Sequence, residues 1–283
     1  MNLSDLRAIL EPYGIRPIKG RSQHFLLDDG VIRRMVEAAG VHEGQTVVEI
    51  GPGPGVLTEP LLSAGAVVRA AELDPRLCTL LRDRFGANER FTLLEGDVLR
   101  RSNAELSGGA SEYIVVANLP YAITSAVITK LLLEEPLPAS VTVMIQKEVA
   151  DRLMGKAEKG EMSSIAVFVQ MYARVERVCT VPKGVFLPPP KVDSAVVKLT
   201  RRSRTDVAAM VADTNEETFF ALVRAAFAAP RKQIKNTLRA VVRSQELLDA
   251  ALRDAGIDGA MRPERVSVDD WARIARGVTK NGG

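Results

Sequence analysis

Cysteine, long apolar runs and repeats are scarce or missing in this sequence of 283 residues. The two cysteines, Cys78 and Cys179, lie far apart and belong to no C-x-x-C pair, which argues against a disulfide framework or a structural zinc site. No segment reaches the roughly 18 uninterrupted apolar residues of a membrane span, and the acid-containing N-terminal segment lacks the apolar core of a signal peptide. We therefore expect a cytoplasmic protein with no membrane association and no metal.

Acidic residues are missing from one long stretch near the C-terminal end. The segment from Thr218 to Gln245 has no Asp or Glu, although the whole chain has 35 acidic and 38 basic residues. A cationic segment without counter-charges attracts polyanions and predicts a nucleic-acid surface, whereas a merely solvated helix face would usually mix both signs. The bases of this segment are Arg224, Arg231, Lys232, Lys235, Arg239 and Arg243.

The spacing of these bases predicts how they are arranged. Pro230 suits the first turn of a helix, and Arg231, Lys235, Arg239 and Arg243 follow at intervals of four residues. Residues four apart lie on the same face of a helix, so we expect a row of cations along a helix that starts at Pro230. The candidate nucleic-acid contacts are Arg231, Lys232, Lys235 and Arg239.

Short apolar runs alternate with amphipathic segments through the first two hundred residues. This rhythm is typical of βαβ units around a parallel sheet, so we predict an α/β domain over residues 1–200. Residues 201–283 are expected to form a small helical domain with Trp271 in its core. Ligands of parallel sheets bind beyond the carboxyl ends of the strands, near the point where the strand order reverses. The predicted strands are TVVEI, AVVRAAEL, FTLLEG, YIVVANL and VTVMIQ.

The first predicted strand runs into a glycine-rich turn, VVEIGPGPGVLT. Glycine permits positive φ and lets the backbone approach a ligand, and a helix predicted from about Val56 would point its first N–H groups at the same place. A dinucleotide site would favour G-x-G-x-x-G. The tighter pattern formed by Glu49, Gly51, Gly53 and Gly55 instead resembles the motif of S-adenosylmethionine-dependent methyltransferases, whose ligand has no phosphate. A purely structural turn is the alternative.

Acids end the next two predicted strands. Glu72 closes RAAELD, where a carboxylate can accept hydrogen bonds from a ribose diol, and Asp97 follows the third strand in LLEGDVL, where it could accept from an adenine amine. Each acid alone would more often be a helix N-cap. Suitable groups at three consecutive strand ends together favour a nucleoside site.

The fourth strand end, VANLPY, has the residues expected to react. It resembles the [ND]-[PIL]-P-[YF] motif of methyltransferases that act on aromatic amino groups. If the Asn118 side-chain carbonyl and the Leu119 backbone carbonyl accept both N–H bonds of an aryl amine, the nitrogen lone pair turns toward the methyl donor. Pro120 would fix the backbone, and Tyr121 would offer a flat face for the base. A turn with a satisfied Asn is the alternative.

Four further blocks extend the resemblance over nearly the whole chain. RSQHFLLDDG is similar to the G-Q-N-F-L motif of the ribosomal RNA adenine N6,N6-dimethyltransferases of the small-subunit type. MIQKEVADRL, VFLPPPKVDSAVVKL and AAFAAPRKQIKNTL resemble later blocks of the same family. The last two are the specific ones, because generic methyltransferases lack them.

The resemblance implies a Rossmann-like class I methyltransferase domain with a small C-terminal helical domain. It implies S-adenosylmethionine as cofactor and, as substrate, two neighbouring adenosines in a hairpin near the 3′ end of small-subunit (16S) rRNA, each methylated twice at N6. The partner would be an immature 30S subunit, and we expect a monomer. The implied cofactor contacts are His24, Leu26, Gly51, Gly53, Glu72, Asp97 and Asn118.

Other residues are singled out by the same resemblance. Phe186 is similar to a second aromatic residue that would sandwich the target adenine against Tyr121, although a core Phe at a strand end is the alternative. Ser22 and His24 replace the Gly and Asn that are commoner in the family, and Pro230 stands where an Arg is frequent.

Two other functions are considered from the sequence. A large-subunit (23S) rRNA adenine methyltransferase that confers macrolide resistance is disfavoured by FLPPPKVDSAVVKL and RKQIKNTL. A non-catalytic RNA-binding assembly factor of the same fold is disfavoured by the intact segment from Asn118 to Tyr121 and by Glu72.

Overall fold

The computed structural model describes residues 3–16, 24–212 and 214–282. The described chain divides into two compact units, each of which is made of two chain segments. The first unit comprises the residues up to Ala150 together with Glu176–Arg201, and the second comprises Asp151–Val175 together with the residues from Arg202 on. The chain passes from the first unit to the second after Arg201, close to the predicted boundary at residue 200. The prediction did not include the earlier segment Asp151–Val175 in the second unit.

A seven-stranded sheet forms the centre of the first unit in the described residues. Its strand order is β4-β3-β2-β5-β6-β9-β7; β2 to β6 pair in parallel, and β9 is antiparallel to β6. The α/β class and the five predicted parallel strands are confirmed. The strands are β1 (Phe25–Leu26), β2 (Thr46–Ile50), β3 (Val67–Glu72), β4 (Phe91–Glu95), β5 (Ile114–Asn118), β6 (Ser140–Gln146), β7 (Ala173–Val181), β8 (Phe186–Leu187) and β9 (Ser194–Arg201).

The strand order reverses between β2 and β5. These two strands are neighbours, with Val47 opposite Ile114, although two strands and their connections separate them in sequence. The carboxyl ends of β2 and β5 therefore flank the crevice where parallel sheets bind ligands. β1 and β8 form a second, two-stranded sheet. They run antiparallel, with Leu26 opposite Phe186.

Local signals explain where the helices of the first unit begin. Asp28 accepts a hydrogen bond from the N–H of Val31 and caps α2, and Asp74 caps α4, which has Pro75 at its first position. The helix after the glycine-rich turn starts at Thr58, two residues later than predicted, because the turn continues through Leu57. The helices are α1 (Leu3–Leu10), α2 (Asp29–Ala39), α3 (Thr58–Ser63), α4 (Pro75–Phe85), α5 (Asn103–Ser107) and α6 (Thr124–Leu133). The next helix, α7 (Lys147–Leu153), begins in the first unit and ends beyond Ala150, in the second.

The second unit is helical and packs around Trp271, which is 0% exposed, as predicted. Ala166, Val167 and Met171 of α8 belong to the same buried cluster as Phe219 and Trp271. This shared core explains why Asp151–Val175 belongs to the second unit. Its helices are α8 (Ser164–Tyr172), α9 (Arg204–Met210), α10 (Glu216–Phe227), α11 (Ile234–Leu238), α12 (Gln245–Ala255) and α13 (Val268–Gly282).

The helix predicted from Pro230 to Arg243 is wrong. Turns occupy residues 228–232, and α11 covers only Ile234–Leu238. The first N–H groups of α11 donate to carbonyls of a later part of the chain: the N–H of Ile234 donates to the Met261 carbonyl at 2.8 Å. Tertiary hydrogen bonds thus place this segment, and cations at intervals of four do not share one helical face.

Short 3-10 turns connect several of these elements. They are Glu11–Tyr13, Val98–Arg100, Tyr121–Ile123, Ala157–Lys159, Lys183–Val185 and Pro263–Arg265. Across the described chain, no helix combines the length and the apolar character that crossing a bilayer requires.

Candidate active site

A cavity of about 760 Å³ lies at the carboxyl ends of β2, β3, β4 and β5. Each of the four strand ends contributes one predicted polar residue or turn to its wall. The sheet order, in which β4, β3, β2 and β5 are neighbours, brings these strand ends together. The strand-end residues that line the cavity include Glu49, Gly51, Gly53, Glu72, Asp97 and Asn118.

The three glycines after β2 have positive φ but different surroundings. Gly51 (φ +65°) and Gly53 (φ +58°) line the cavity, and Gly55 has φ +84°. The nearest atom to a Cβ on Gly51 would be in the Pro120 ring at 3.7 Å, an ordinary contact, whereas a Cβ on Gly55 would lie 2.3 Å from the Phe85 ring. The first two glycines therefore bring backbone to the ligand cavity, and the third permits close packing against α4.

Glu72 is fixed by three backbone donors and is 7% exposed. One carboxylate oxygen accepts from the N–H of Gly53 at 3.2 Å, and the other accepts from Leu73 and Asp74 at 2.8 and 2.9 Å. Burial raises the pKa of Glu72, and the hydrogen bonds from Asp74, Gly53 and Leu73 oppose that shift. A carboxylate has about four acceptor sites, so acceptor capacity remains for a hydroxyl in the cavity.

Glu49 is a buried acid whose role the sequence did not assign. It is 1% exposed and accepts a hydrogen bond from the Thr58 hydroxyl at 2.6 Å. Burial raises its pKa to about 8; the Thr58 hydroxyl opposes this shift, and the nearby Glu72 adds to it. An acid within an otherwise apolar strand was the available signal. In the cavity wall, this carboxyl would favour a cationic ligand group, which would stabilise its ionised form.

Asp97 is an N-cap, the alternative considered from the sequence, and it also lines the cavity. One oxygen accepts from the N–H of Leu99 at 2.9 Å and caps the 3-10 turn Val98–Arg100. The other lies 3.7 Å from the Arg100 guanidinium. The N-cap is thus present in the structure, and contact with an adenine amine stays a prediction.

An exposed apolar residue beside Glu72 was missed in the sequence. Leu73 lines the cavity and is 67% exposed. Val98 lines the cavity from the end of β4. Together they offer apolar surface for a flat ring near the carboxylate of Glu72. An apolar residue directly after the strand-end acid was the signal.

The segment from Asn118 to Tyr121 is held by neighbouring strands and by His24. The Asn118 amide nitrogen donates to the His24 backbone carbonyl at 3.2 Å, and the Leu119 N–H donates to the Met144 carbonyl of β6 at 3.1 Å. A carbonyl can only accept, so the NH₂ of Asn118 faces His24 and its oxygen is left to accept from another donor. This is the orientation that binding of an amine requires.

His24 lines the cavity, and its side chain contacts Tyr121 and one further segment, at Pro188. Its Nδ1 lies 2.7 Å from the Pro188 carbonyl, and its ring stacks on that of Tyr121 with centroids 5.7 Å apart. Leu26, also expected to contact the cofactor, is buried and lines the cavity. Ser22 lies outside the described residues.

Phe186 is not among the residues that line the cavity. It is 4% exposed, pairs with Leu26 in the small sheet and belongs to the core cluster of the first unit. The structure therefore places it as the core Phe that was considered as the alternative. Sandwiching of adenine against Tyr121 stays a prediction that this arrangement does not support.

The cationic segment of the second unit has no common helical face. Arg231, Lys232 and Arg239 are exposed, but Lys235 is half-buried, and its N–H donates to the Gly259 carbonyl at 3.1 Å. The Arg239 guanidinium donates to the side-chain oxygen of Gln245. The predicted row of cations is absent from this described segment. The segment is still acid-free and largely exposed, so contact with nucleic acid stays a prediction.

The chemistry of the cavity fits a nucleoside with a cationic substituent. Its wall combines the Glu72 and Asp97 carboxylates with the apolar Leu73 and with the bare backbone of the glycine turn. Within residues 3–16, 24–212 and 214–282, no group of three or more His, Cys, Asp or Glu could hold a metal ion. The parallel sheet, the G-x-G-x-G turn and the Asn-Leu-Pro-Tyr segment define a class I S-adenosylmethionine-dependent methyltransferase.

Comparison with known proteins narrows this class to one family. Residues 19–280 match the family described as ribosomal RNA adenine dimethylase. The chain belongs to this family, and the expected cofactor, S-adenosylmethionine, is confirmed with it.

Individual relatives agree with this assignment. The chain is 39% identical over 280 residues to "Ribosomal RNA small subunit methyltransferase A" of Dehalococcoides mccartyi, which covers 99% of this chain and 94% of that protein. A Bacillus licheniformis protein with the same description is 40% identical, with coverage of 95% and 94%.

Two solved structures have similar folds. The 23S rRNA methyltransferase ErmE has a TM-score of 0.71 and 27% identity, covering 90% of this chain and 99% of that chain. A dimethyladenosine transferase from Plasmodium falciparum has a TM-score of 0.75 and 24% identity, covering 92% and 98%.

Proposed function

We propose that this protein uses S-adenosylmethionine to dimethylate N6 of two adjacent adenosines in a hairpin near the 3′ end of small-subunit rRNA, during small-subunit biogenesis. The observation that carries the proposal is the orientation of Asn118, whose NH₂ donates to the His24 carbonyl. Family membership and relatives described as small-subunit methyltransferases support the choice of RNA. Four transfers complete the reaction, two on each adenosine.

Asn118 and Leu119, at the end of β5, activate the amine by accepting hydrogen bonds from its N–H groups. An aryl amine is a poor nucleophile because its lone pair is delocalised into the ring. In our proposal, the Asn118 side-chain oxygen and the Leu119 carbonyl accept hydrogen bonds from the N–H groups of the amine, so the nitrogen pyramidalises and its lone pair points to the methyl donor. Pro120 has φ −57°, which holds the Leu119 carbonyl, and Tyr121 supports the base. The acidic product amine can lose its proton to water without a strong base.

The remaining wall residues hold the cofactor in our proposal. S-adenosylmethionine supplies an electrophilic methyl group on its sulfonium. Glu72 accepts from the ribose hydroxyls, Leu73 and Val98 contact the adenine ring, and Asp97 accepts from its amine. Glu49 favours the positive charge of the amino-acid end. The backbone of Gly51 and Gly53 lets the ligand approach the end of β2.

A large-subunit RNA substrate is the second candidate. It is favoured by one observation, the similarity to ErmE at 27% identity with a TM-score of 0.71. The relatives described as small-subunit methyltransferases are 37–40% identical over nearly the whole chain, which supports the small subunit more strongly. A non-catalytic assembly factor would not need the intact amine-binding arrangement around Asn118.

The proposal includes the RNA partner and its contacts. We infer that the protein acts as a monomer on an immature 30S subunit. Arg231, Lys232, Lys235 and Arg239 would contact RNA phosphates, which is supported by the absence of acids between Thr218 and Gln245.

Labelled cofactor and several acceptors test the proposed function. The protein is incubated with undermethylated small subunits, with large subunits and with bare 16S and 23S RNA, and modified nucleotides are mapped. We expect dimethylation of two adjacent adenosines near the 3′ end of 16S RNA, above all in the small subunit. Transfer to 23S RNA would support the second candidate, and no transfer to any acceptor would contradict the proposed activity.

A further inference from the structure

One residue, His24, contacts three residues that belong to two segments of the chain. Its backbone carbonyl accepts from the Asn118 side chain at 3.2 Å, its ring stacks on Tyr121, and its Nδ1 meets the Pro188 carbonyl at 2.7 Å. Because the Pro188 carbonyl can only accept, Nδ1 has the proton in this contact. His24 therefore connects the strand-end segment after β5 with the chain just after β8.

Tyr121 is held at its other end by a buried serine. The Tyr121 hydroxyl lies 2.8 Å from Ser194 Oγ, and Ser194 is fully buried at the start of β9. The Tyr121 ring is tilted by only 29° from the His24 ring, which is a stacked geometry. A tyrosine side chain has two rotatable bonds, so one contact on its ring and one at its hydroxyl fix its orientation.

We propose that His24 and Ser194 are positioning residues for methyl transfer, which hold Tyr121 and Asn118 in the arrangement that receives the target adenine. This inference rests on the proposed function and assigns His24 a role different from the cofactor contact that the family resemblance implies. A base that stacks on Tyr121 is placed correctly over Asn118 only if the tyrosine ring does not rotate. Such placement affects the rate of the chemical step more strongly than it affects the affinity for the substrate.

The His24 side chain offers a matched pair of substitutions. His24→Phe keeps a ring for stacking and loses the donor to Pro188, whereas His24→Asn keeps a donor near the position of Nδ1 and loses the ring. The backbone carbonyl that binds Asn118 is unchanged in both. Tyr121→Phe removes the hydrogen bond to Ser194 without a substitution at that buried residue. It replaces Ser194→Ala in the test if that variant fails to fold.

Steady-state kinetics separate a positioning residue from a cofactor contact. We expect His24→Asn, His24→Phe and Ser194→Ala each to lower kcat by about 3- to 10-fold, the size of one lost hydrogen bond or ring contact. The calorimetric Kd for S-adenosylmethionine should change less than about twofold. A weaker Kd at unchanged kcat would overturn the proposal in favour of cofactor contact.

Double-mutant cycles test whether these residues act through Tyr121. Ser194→Ala should add little to the loss already caused by Tyr121→Phe, and His24→Phe or His24→Asn should lose most of its effect when combined with Tyr121→Ala. Fully multiplicative losses in both cycles would show that the residues act independently of Tyr121 and would overturn the proposal.

A measurement on the free protein keeps this inference separate from the proposed function. The chain has four tyrosines, so fluorotyrosine labelling gives few ¹⁹F resonances, and the one lost in Tyr121→Phe identifies Tyr121. We expect His24→Asn and Ser194→Ala to shift that resonance and leave Tyr13 unchanged. An unmoved Tyr121 resonance would overturn the inference. A moved resonance in a protein that methylates no RNA would instead support the positioning contacts while contradicting the proposed function.

Discussion

Asn118 is oriented by a backbone carbonyl, that of His24, and this determines which atom of the amide can accept from a substrate. A backbone acceptor cannot change its hydrogen-bonding role, whereas a side chain in the same place could rotate. The chemistry of the residue is thus set by a residue 94 positions earlier in the chain. Sequence motifs identified Asn118 but gave no information on this orientation.

The first residue-scale prediction concerns Asn118→Ala. We expect the rate of methyl transfer to fall by about 100-fold or more, because one acceptor aimed at the reacting amine is lost. The assay uses saturating S-adenosylmethionine, and the far-UV circular dichroism serves as the control for folding and should change little. Full activity of the variant in single-turnover assays would remove Asn118 from the mechanism.

Glu72→Gln should weaken cofactor binding by about 1.5–3 kcal/mol, roughly 10- to 150-fold in Kd. The substitution keeps the size of the side chain but removes the charge and turns an NH₂ group toward backbone donors. Calorimetry on the isolated protein measures this without RNA. Glu59→Gln is the matched control, because Glu59 is an exposed acid that pairs with Arg84. Equal Kd values for the two variants would place the ribose elsewhere.

The raised pKa of Glu49 predicts that the stability of the free protein depends on pH. Its folded-state pKa is raised from 4.5 to about 8, so the folded protein keeps a proton that the unfolded chain loses. Its contribution to stability therefore decreases as pH rises from about 4.5 to 8. We expect Glu49→Gln to flatten this decrease in urea unfolding of the free protein.

The same residue predicts a proton change on binding. If a cationic ligand group stabilises ionised Glu49, cofactor binding near pH 7 should release a fraction of a proton. Calorimetry in buffers of different ionisation enthalpy measures it. The same proton release in Glu49→Gln would assign it to another group.

At the scale of elements, sequence patterns predicted the five parallel strands and the turn after β2, because strand periodicity and glycine spacing are local signals. They failed where distant contacts decide. The helix predicted from Pro230 is replaced by turns and the short α11, whose first N–H groups bind carbonyls of residues 259–261. Phe186 likewise matched a motif, but its pairing with β1 buries it.

The turn after β2 gives an element-scale prediction about packing. Gly55→Ala should lower the free energy of unfolding by about 2–5 kcal/mol, since positive φ and overlap with the Phe85 ring both oppose a Cβ. Gly40→Ala is the matched control, because Gly40 also has positive φ but nothing lies within 4 Å of its Cβ position.

The control variant should lose only about 1–2 kcal/mol. Urea unfolding followed by circular dichroism compares the two variants. Equal losses would mean that α4 moves away without cost and that Gly55 is required by its φ alone.

At the scale of the whole molecule, the charge distribution predicts how RNA binding depends on salt. Replacing Lys232 and Arg239 together by Gln should weaken binding of small subunits and reduce its salt dependence by roughly one to two ion equivalents, while the cofactor Kd stays unchanged. Filter binding across a range of salt concentrations measures this slope.

Arg253→Gln provides the control for that experiment, because Arg253 is an exposed base of the same unit outside the acid-free segment. It should leave the slope unchanged. An unchanged slope in the double variant would contradict phosphate contact by the acid-free segment. The phosphates would then be expected to contact cations of the first unit, such as Arg16.

The interleaving of the two units determines the order in which their parts emerge during synthesis. The segment Asp151–Val175 is made before β9, the strand that pairs with β6, and before every later helix of its own unit. While the chain grows, Ala166, Val167 and Met171 of α8 have no core to join. A fragment that ends at residue 200 keeps this apolar face without its partners, so exchange of a C-terminal segment between homologous genes at that point would transfer only part of the helical unit.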